Sequence, residues 1–116
     1  MRIYVAHNYG RRRGLSNEEC EVNVMRSIEI GRELILQGHN PFIPNLLHFV
    51  HKGWAMSPDE SYWHQLSSEW LRFCDSIFVG SKPLDVNSGV KDEVDTSRVL
   101  KLPAYYSIED VPDGTV

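Results

Sequence analysis

Ile3-Tyr4-Val5-Ala6, running straight into His7-Asn8-Tyr9-Gly10-Arg11-Arg12-Arg13-Gly14, decides the fold. Four β-forming residues without a polar face suit a central parallel strand that is covered on both sides. Two glycines and three consecutive arginines cannot continue a buried strand, so a loop follows. Ser16 and Glu19 then have the spacing of a capping box, and Val24, Ile28, Gly31 and Ile35 recur at steps of four, three and four. This pattern predicts a long amphipathic helix ending near Gln37-Gly38, where glycine supplies the left-handed terminus.

Beyond it, His39-Asn40-Pro41-Phe42-Ile43-Pro44 is broken by two prolines and reads as an edge strand. Asn45 to Gly53 has room for one or two helical turns. Ser57, as N-cap before Pro58-Asp59-Glu60, opens a second helix, with Trp63, Leu66, Trp70 and Phe73 at helical spacing as its core stripe. Asp75-Ser76 leads into the strand Ile77-Phe78-Val79-Gly80, and a loop runs from Ser81 to Asn87. Ser88-Gly89 opens a third helix reaching about Leu100, and Leu102-Pro103-Ala104-Tyr105-Tyr106 is a last strand. Long helical crossovers between apolar strands imply a three-layer α/β domain, flavodoxin-like or Rossmann-like. It would have a parallel sheet of about four to five strands and helices on both faces. Ligands of such sheets sit beyond the carboxyl ends of the strands where the strand order reverses, which selects the loops His7 to Gly14 and Val79 to Gly89.

Composition agrees with a single domain over 1–116, since 116 residues, 41% of them hydrophobic, build one core and not two. Twelve Lys plus Arg against sixteen Asp plus Glu give a formal charge of −4, which argues against a protein that coats nucleic acid or an anionic membrane. Cys20 and Cys74 are too few and too far apart for a disulfide framework or a paired zinc site, and a reducing cytoplasm is the expected location. The opening apolar run is far short of a membrane span and precedes no small-residue cleavage site. No repeat or low-complexity linker interrupts the chain, and Pro112 to Val116 reads as a loose end.

Glu93 lies in the first turns of the third helix, about 60° from the apolar line through Val90 and Val94. Two readings stand for it: a partly desolvated nucleophile or general base at the cleft edge, or an acid that merely complements the helix dipole. Asn87-Ser88-Gly89 offers an amide, a hydroxyl and free backbone N–H groups that suit a phosphate, or else a simple cap. Arg11, Arg12 and Arg13 could clamp a phosphate across the cleft or form a solvated loop. Asp75 either holds a sugar hydroxyl or forms the turn into the third strand. His7 ends the first strand, a functional location. His48 and His51, three apart, lack a third metal ligand at a recognisable spacing. Trp54 and Tyr62 lie off the core stripe, where aromatics stack on a base or bury a subunit contact. No Walker loop, G-x-S-x-G elbow or complete G-x-G-x-x-G fingerprint is present, so kinase, esterase and dehydrogenase readings lose support.

With these pieces in order, the chain from about Ile3 to Tyr106 resembles the nucleoside 2-deoxyribosyltransferase-like superfamily, which includes nucleotide N-glycosidases and many small relatives. The resemblance rests on several stretches in sequence: Ile3-Tyr4-Val5-Ala6 with its polar loop, Leu36-Gln37-Gly38-His39, and Pro41-Phe42-Ile43-Pro44. It continues through Glu69-Trp70-Leu71-Arg72-Phe73-Cys74-Asp75-Ser76-Ile77, Ser88-Gly89-Val90 with Glu93, and Leu102-Pro103. It implies that Glu93 attacks an anomeric carbon, and that an aromatic, Tyr4 or Tyr9, lies close to this nucleophile. Asn8 to Arg13, Gly10 among them, and Asn87 to Gly89 would hold a 5′-phosphate. It also implies a homo-oligomer, for which Trp54, Met56 and Tyr62 are the candidate contacts. One position departs from the pattern: Ser67 stands where characterised members carry an aspartate.

Two functions follow as expectations. The first is cleavage or transfer at the N-glycosidic bond of a nucleoside or nucleoside 5′-monophosphate, without metal or organic cofactor, because a carboxylate shares the oxocarbenium charge directly. The second is a nucleotide-binding or sensor module of the same fold without catalysis, to which Ser67 points. Both take a small-molecule nucleoside or nucleotide as partner, and neither a nucleic-acid polymer nor a membrane.

Overall fold

The computed structural model describes residues 1–10, 14–81 and 89–115. Its elements are β1 (Arg2–Ala6), α1 (Asn17–Leu36), β2 (Asn40–Phe42), a 3-10 turn (Pro44–Leu47) continuing into α2 (His48–His51), α3 (Glu60–Leu71), β3 (Ser76–Val79), α4 (Gly89–Val99) and β4 (Ala104–Tyr105). A second 3-10 turn, Ile108–Asp110, follows. The sheet is all parallel, in the order β2-β1-β3-β4, with the proline-bearing β2 at one edge.

Ile3 to Ala6 are completely buried because both faces of β1 are covered. Ile3 and Val5 point toward α1 and pack with Leu34, Phe78 and Val111. Tyr4 and Ala6 point the other way and pack with Leu71, Cys74, Ile77, Val79, Val90 and Val94, where α3 and α4 lie. The alternation along β1 thus feeds two cores, one per face, and makes this a three-layer α/β fold. The chain winds outward in opposite directions from β1 and β3, so their carboxyl ends flank the switch point.

α1 starts as its sequence predicts: Ser16 accepts from the Glu19 N–H, and the Glu19 carboxylate accepts from the Ser16 N–H. It stops at Gly38, whose φ of +88° only glycine adopts without strain. The stripe it buries is shifted from expectation. Cys20, Val24, Ser27, Gly31 and Leu34 face inward, whereas Ile35 is 58% exposed. α3 shows the same offset. Its buried line is Trp63, Ser67 and Leu71, while Trp70 and Phe73 are 53% and 64% exposed, Trp70 stacking on Phe42. In both helices a buried serine occupies a core-facing position that apolar counting skips.

Two further expectations are corrected. The N-cap of α3 is Asp59, whose carboxylate accepts from Tyr62 N; Ser57 instead accepts from the Trp63 indole N–H. The end of the chain is tied down as far as Thr115: His39 Nε2 donates to Pro112 O at 2.6 Å and Gly114 N donates to Gln37 O at 2.7 Å. Among the described residues, no helix is long and apolar enough to cross a membrane.

Candidate functional site

The cleft opens at the carboxyl ends of β1 and β3, and its floor is built around Glu93. On α4 the buried positions are Val90, Glu93, Val94 and Ser97, so the carboxyl is carried inward on the same face as the valines. Glu93 is 9% exposed, and among the described residues its Oε2 has no hydrogen-bond partner. Burial pushes its pKa up to about 8; the Tyr4 hydroxyl works against that shift, and the charge on Asp92 adds to it.

Tyr4 lies beneath this floor, fully buried, close to both the Glu93 carboxyl and Ser67. Its hydroxyl likewise completes no hydrogen bond among the described residues. Burial raises its pKa well above the usual phenol value, and the neighbouring Glu93 charge raises it further. Two adjoining buried polar atoms without partners cost about 1–3 kcal/mol each, and a fold retains such a cost where a ligand or water completes the bonding.

The loop after β1 is held from three sides. Asn45, buried in the 3-10 turn, donates to Asn8 O at 3.1 Å, His7 O at 3.4 Å and Ser27 Oγ at 2.9 Å. Asn23 donates to Tyr9 O at 3.0 Å, and Asn8 N donates to Ser81 Oγ at 2.9 Å, linking this loop to the one after β3. Gly10 turns the loop at a φ of +115°, and its carbonyl accepts from Leu15 N. His7 Nδ1 donates to Asn8 O; burial lowers its pKa most, so this ring is neutral at pH 7.

The structure therefore brings His7, Asn8, Tyr9, Gly10, Gly89 and Glu93 to one cleft, with Tyr4 beneath it. It does not bring Asp75 there. Asp75 precedes β3, at the opposite end of the sheet, and its carboxylate accepts from Arg2 N at 2.8 Å, which agrees with the turn reading of this residue and sets it away from the cleft that the sugar reading needs. Arg11, Arg12, Arg13, Asn87 and Ser88 lie outside the described residues. Tyr9 reaches the cleft with its hydroxyl engaged by His48 and His51.

Several cleft residues carried no functional weight in the sequence reading. Asn45 organises the β1 loop, and Glu60, Trp63 and His64 line the α3 side, whereas Ser67, which the sequence reading did single out, borders Tyr4. His64 Nε2 lies 3.8 Å from Asp92 Oδ2, joining α3 to α4 at the rim. The three-residue spacing of His48 and His51 was a usable signal, since it places both rings on one helical turn. Glu21, which His48 contacts from 27 positions away, gave none.

No family model matches the chain, and no curated protein matches it. Among solved structures, it is similar to the 2-deoxyribosyltransferase of the psychrotolerant bacterium Bacillus psychrosaccharolyticus, a biocatalyst for nucleoside synthesis. The sequences are 17% identical, the TM-score is 0.57, and the match covers 90% of this chain and 69% of that one. At that identity the likeness is one of fold.

Proposed function

We propose that this protein cleaves or transfers at the N-glycosidic bond of a nucleoside or nucleoside 5′-monophosphate, with Glu93 as nucleophile. The observation that carries the reading is the Glu93 carboxyl itself: buried at the switch point, against the Tyr4 hydroxyl, with one oxygen unpartnered among the described residues. Once ionised, it attacks the anomeric carbon, the base leaves with the bonding pair, and water or a second base resolves the glycosyl-enzyme. Tyr4 orients the carboxylate. His7, Asn8 and Gly10 on one side and Gly89 on the other frame a phosphate, with Arg11 to Arg13, Asn87 and Ser88 adding donors from the adjoining loops. The fold shared with a 2-deoxyribosyltransferase supports the substrate class.

The test is chromatography of free base after incubation with ribo- and deoxyribonucleosides and their 5′-monophosphates, with and without a second base as acceptor, and with Glu93→Gln in parallel. Base release that the variant lacks supports the reading. Its absence throughout, accompanied by nucleotide-dependent thermal shifts, supports instead the binding module, which a serine at position 67 and a carboxyl protonated at neutral pH favour.

The same reading includes a homo-oligomer. Trp54, Met56 and Tyr62, exposed at 48%, 82% and 48%, are its proposed contacts, and a monomeric mass by light scattering would remove it.

A further inference from the structure

A second group of reactive side chains lines the same cleft and takes no part in the scheme above. Tyr9 Oη is hydrogen-bonded to His48 Nδ1 and lies 3.1 Å from His51 Nε2. His48 Nε2 lies 3.1 Å from Glu21 Oε1, and Lys52 pairs with that same carboxylate oxygen. His48 is 1% exposed and His51 7%, whereas the Glu21 and Lys52 side chains reach solvent. The β1 loop, α1 and α2 thus contribute to one hydrogen-bonded chain that runs from the cleft to the surface.

Burying two imidazoles against a half-buried phenol is costly unless the links are made, and a core needs none of them. What such a chain provides is a choice of direction, because each imidazole nitrogen and the phenol oxygen can either donate or accept. With His48 neutral, the Glu21 carboxylate fixes its hydrogen on Nε2, and Nδ1 accepts from Tyr9. With His48 protonated, Nδ1 donates to Tyr9 Oη, and the phenolic hydrogen turns away from His48 toward His51 or a cleft ligand. The Glu21 carboxylate offsets the imidazolium charge in that second state.

We propose that the chain Glu21–His48–Tyr9, steadied by His51, is the proton donor to the departing base, a role that rests on the glycosidic reading above. As the bond from Glu93 oxygen to the anomeric carbon forms, the carbon–nitrogen bond breaks and its electron pair stays on the base nitrogen. Tyr9 gives its hydroxyl proton to the base, and His48 Nδ1 returns a proton to the Tyr9 oxygen. His48 ends neutral with its hydrogen on Nε2 against Glu21, and Nδ1 is recharged by a proton that enters from the solvent of the cleft through Tyr9 once the base has left. Tyr9 is then a catalytic residue, and His48 and Glu21 are positioning residues that act through it.

Leaving groups of graded acidity test this. Cleavage rates are compared for glycosides of ordinary bases, of more acidic bases and of 4-nitrophenol, which departs as an anion without needing a proton. The wild type is measured beside Tyr9→Phe and Glu21→Gln, with thermal melts to verify folding. With ordinary bases Tyr9→Phe should lose about 100-fold in kcat and Glu21→Gln about tenfold, both losses shrinking below about threefold as the leaving group becomes acidic. A loss of equal size on every leaving group, or no loss on any, overturns the proposal. Glu21→Gln sits at the surface and keeps the test standing if Tyr9→Phe folds poorly. A wild type that cleaves none of the glycosides removes the glycosidic reading itself, an outcome distinct from uniform losses in the variants.

Discussion

The Tyr4 hydroxyl and the Glu93 carboxyl adjoin beneath the cleft, one on the central strand and one on α4, and each leaves a buried oxygen without a hydrogen-bond partner among the described residues. The strand supplies the phenol because its pleat turns Tyr4 toward the α3 and α4 layer. The helix supplies the carboxyl because Glu93 shares the inward face with Val90 and Val94. A cost borne by two separate elements at one point marks that point as the place where the fold gives up stability for function.

Replacing Glu93 by Gln should therefore stabilise the protein, and increasingly so with pH. A carboxyl that ionises near 8 when folded and near 4.5 when unfolded favours the folded state fully below the unfolded value. That contribution is lost as pH rises through about 8, with a ceiling of about 5 kcal/mol. Glu93→Gln does not titrate, so its thermal midpoint should match the wild type near pH 5 and exceed it by several degrees at pH 8.5. A difference that does not change with pH would contradict the burial-driven shift.

Activity should depend on the same ionisation. With a 4-nitrophenol glycoside, which needs no proton donor, kcat/KM rises roughly tenfold per pH unit below 8 and levels above it if the carboxylate is the nucleophile, since this parameter follows the free enzyme. A profile that is flat from pH 6 to 9 would take the nucleophile role away from Glu93.

How far the fold could be read in advance is clearest at two serines. The succession of strands and helices, the edge place of the proline-bearing strand, the capping box at Ser16 and the end of α1 at Gly38 were all legible, because they rest on local chemistry and apolar runs. The buried stripes of α1 and α3 were misplaced by about one position because Ser27 and Ser67 occupy inward sites. Ser27 does so to meet Asn45, and Ser67 to border Tyr4. Apolar periodicity rotates wherever a helix turns polar atoms toward a site. Glu93 was legible by its place on the helix, whereas the contact between Glu21 and His48 spans 27 positions and is fixed only by tertiary packing.

His39 closes the far end of the domain, and its replacement should show that the C-terminal segment is structural. Its ring accepts from the Met1 amine at Nδ1 and donates to Pro112 O at Nε2, and it is nearly fully buried. His39→Ala should lose about 1–3 kcal/mol in denaturant unfolding, the range for stranding buried partners. It should also speed hydrogen exchange at Gly114, whose N–H is bonded to Gln37 O. An unchanged midpoint would mean that Pro112 to Thr115 contribute nothing to stability.

Asn45→Ala separates holding the site from running its chemistry. One buried amide donates to His7 O, Asn8 O and Ser27 Oγ, so its removal takes a donor from all three at the switch point, although Asn8 O keeps the bond from His7 Nδ1 and Ser27 its bond to Asn23 O. Unfolding should cost about 2–3 kcal/mol less than in the wild type. The loop that carries His7, Asn8 and Gly10 would lose its anchor while Tyr4 and Glu93, on β1 and α4, would keep theirs. KM for a nucleotide should then rise several-fold more than kcat falls, because binding and not the nucleophile has been loosened. A fall in kcat with KM unchanged would instead place Asn45 in support of the reacting groups, and the β1 loop would have to be regarded as part of the catalytic machinery.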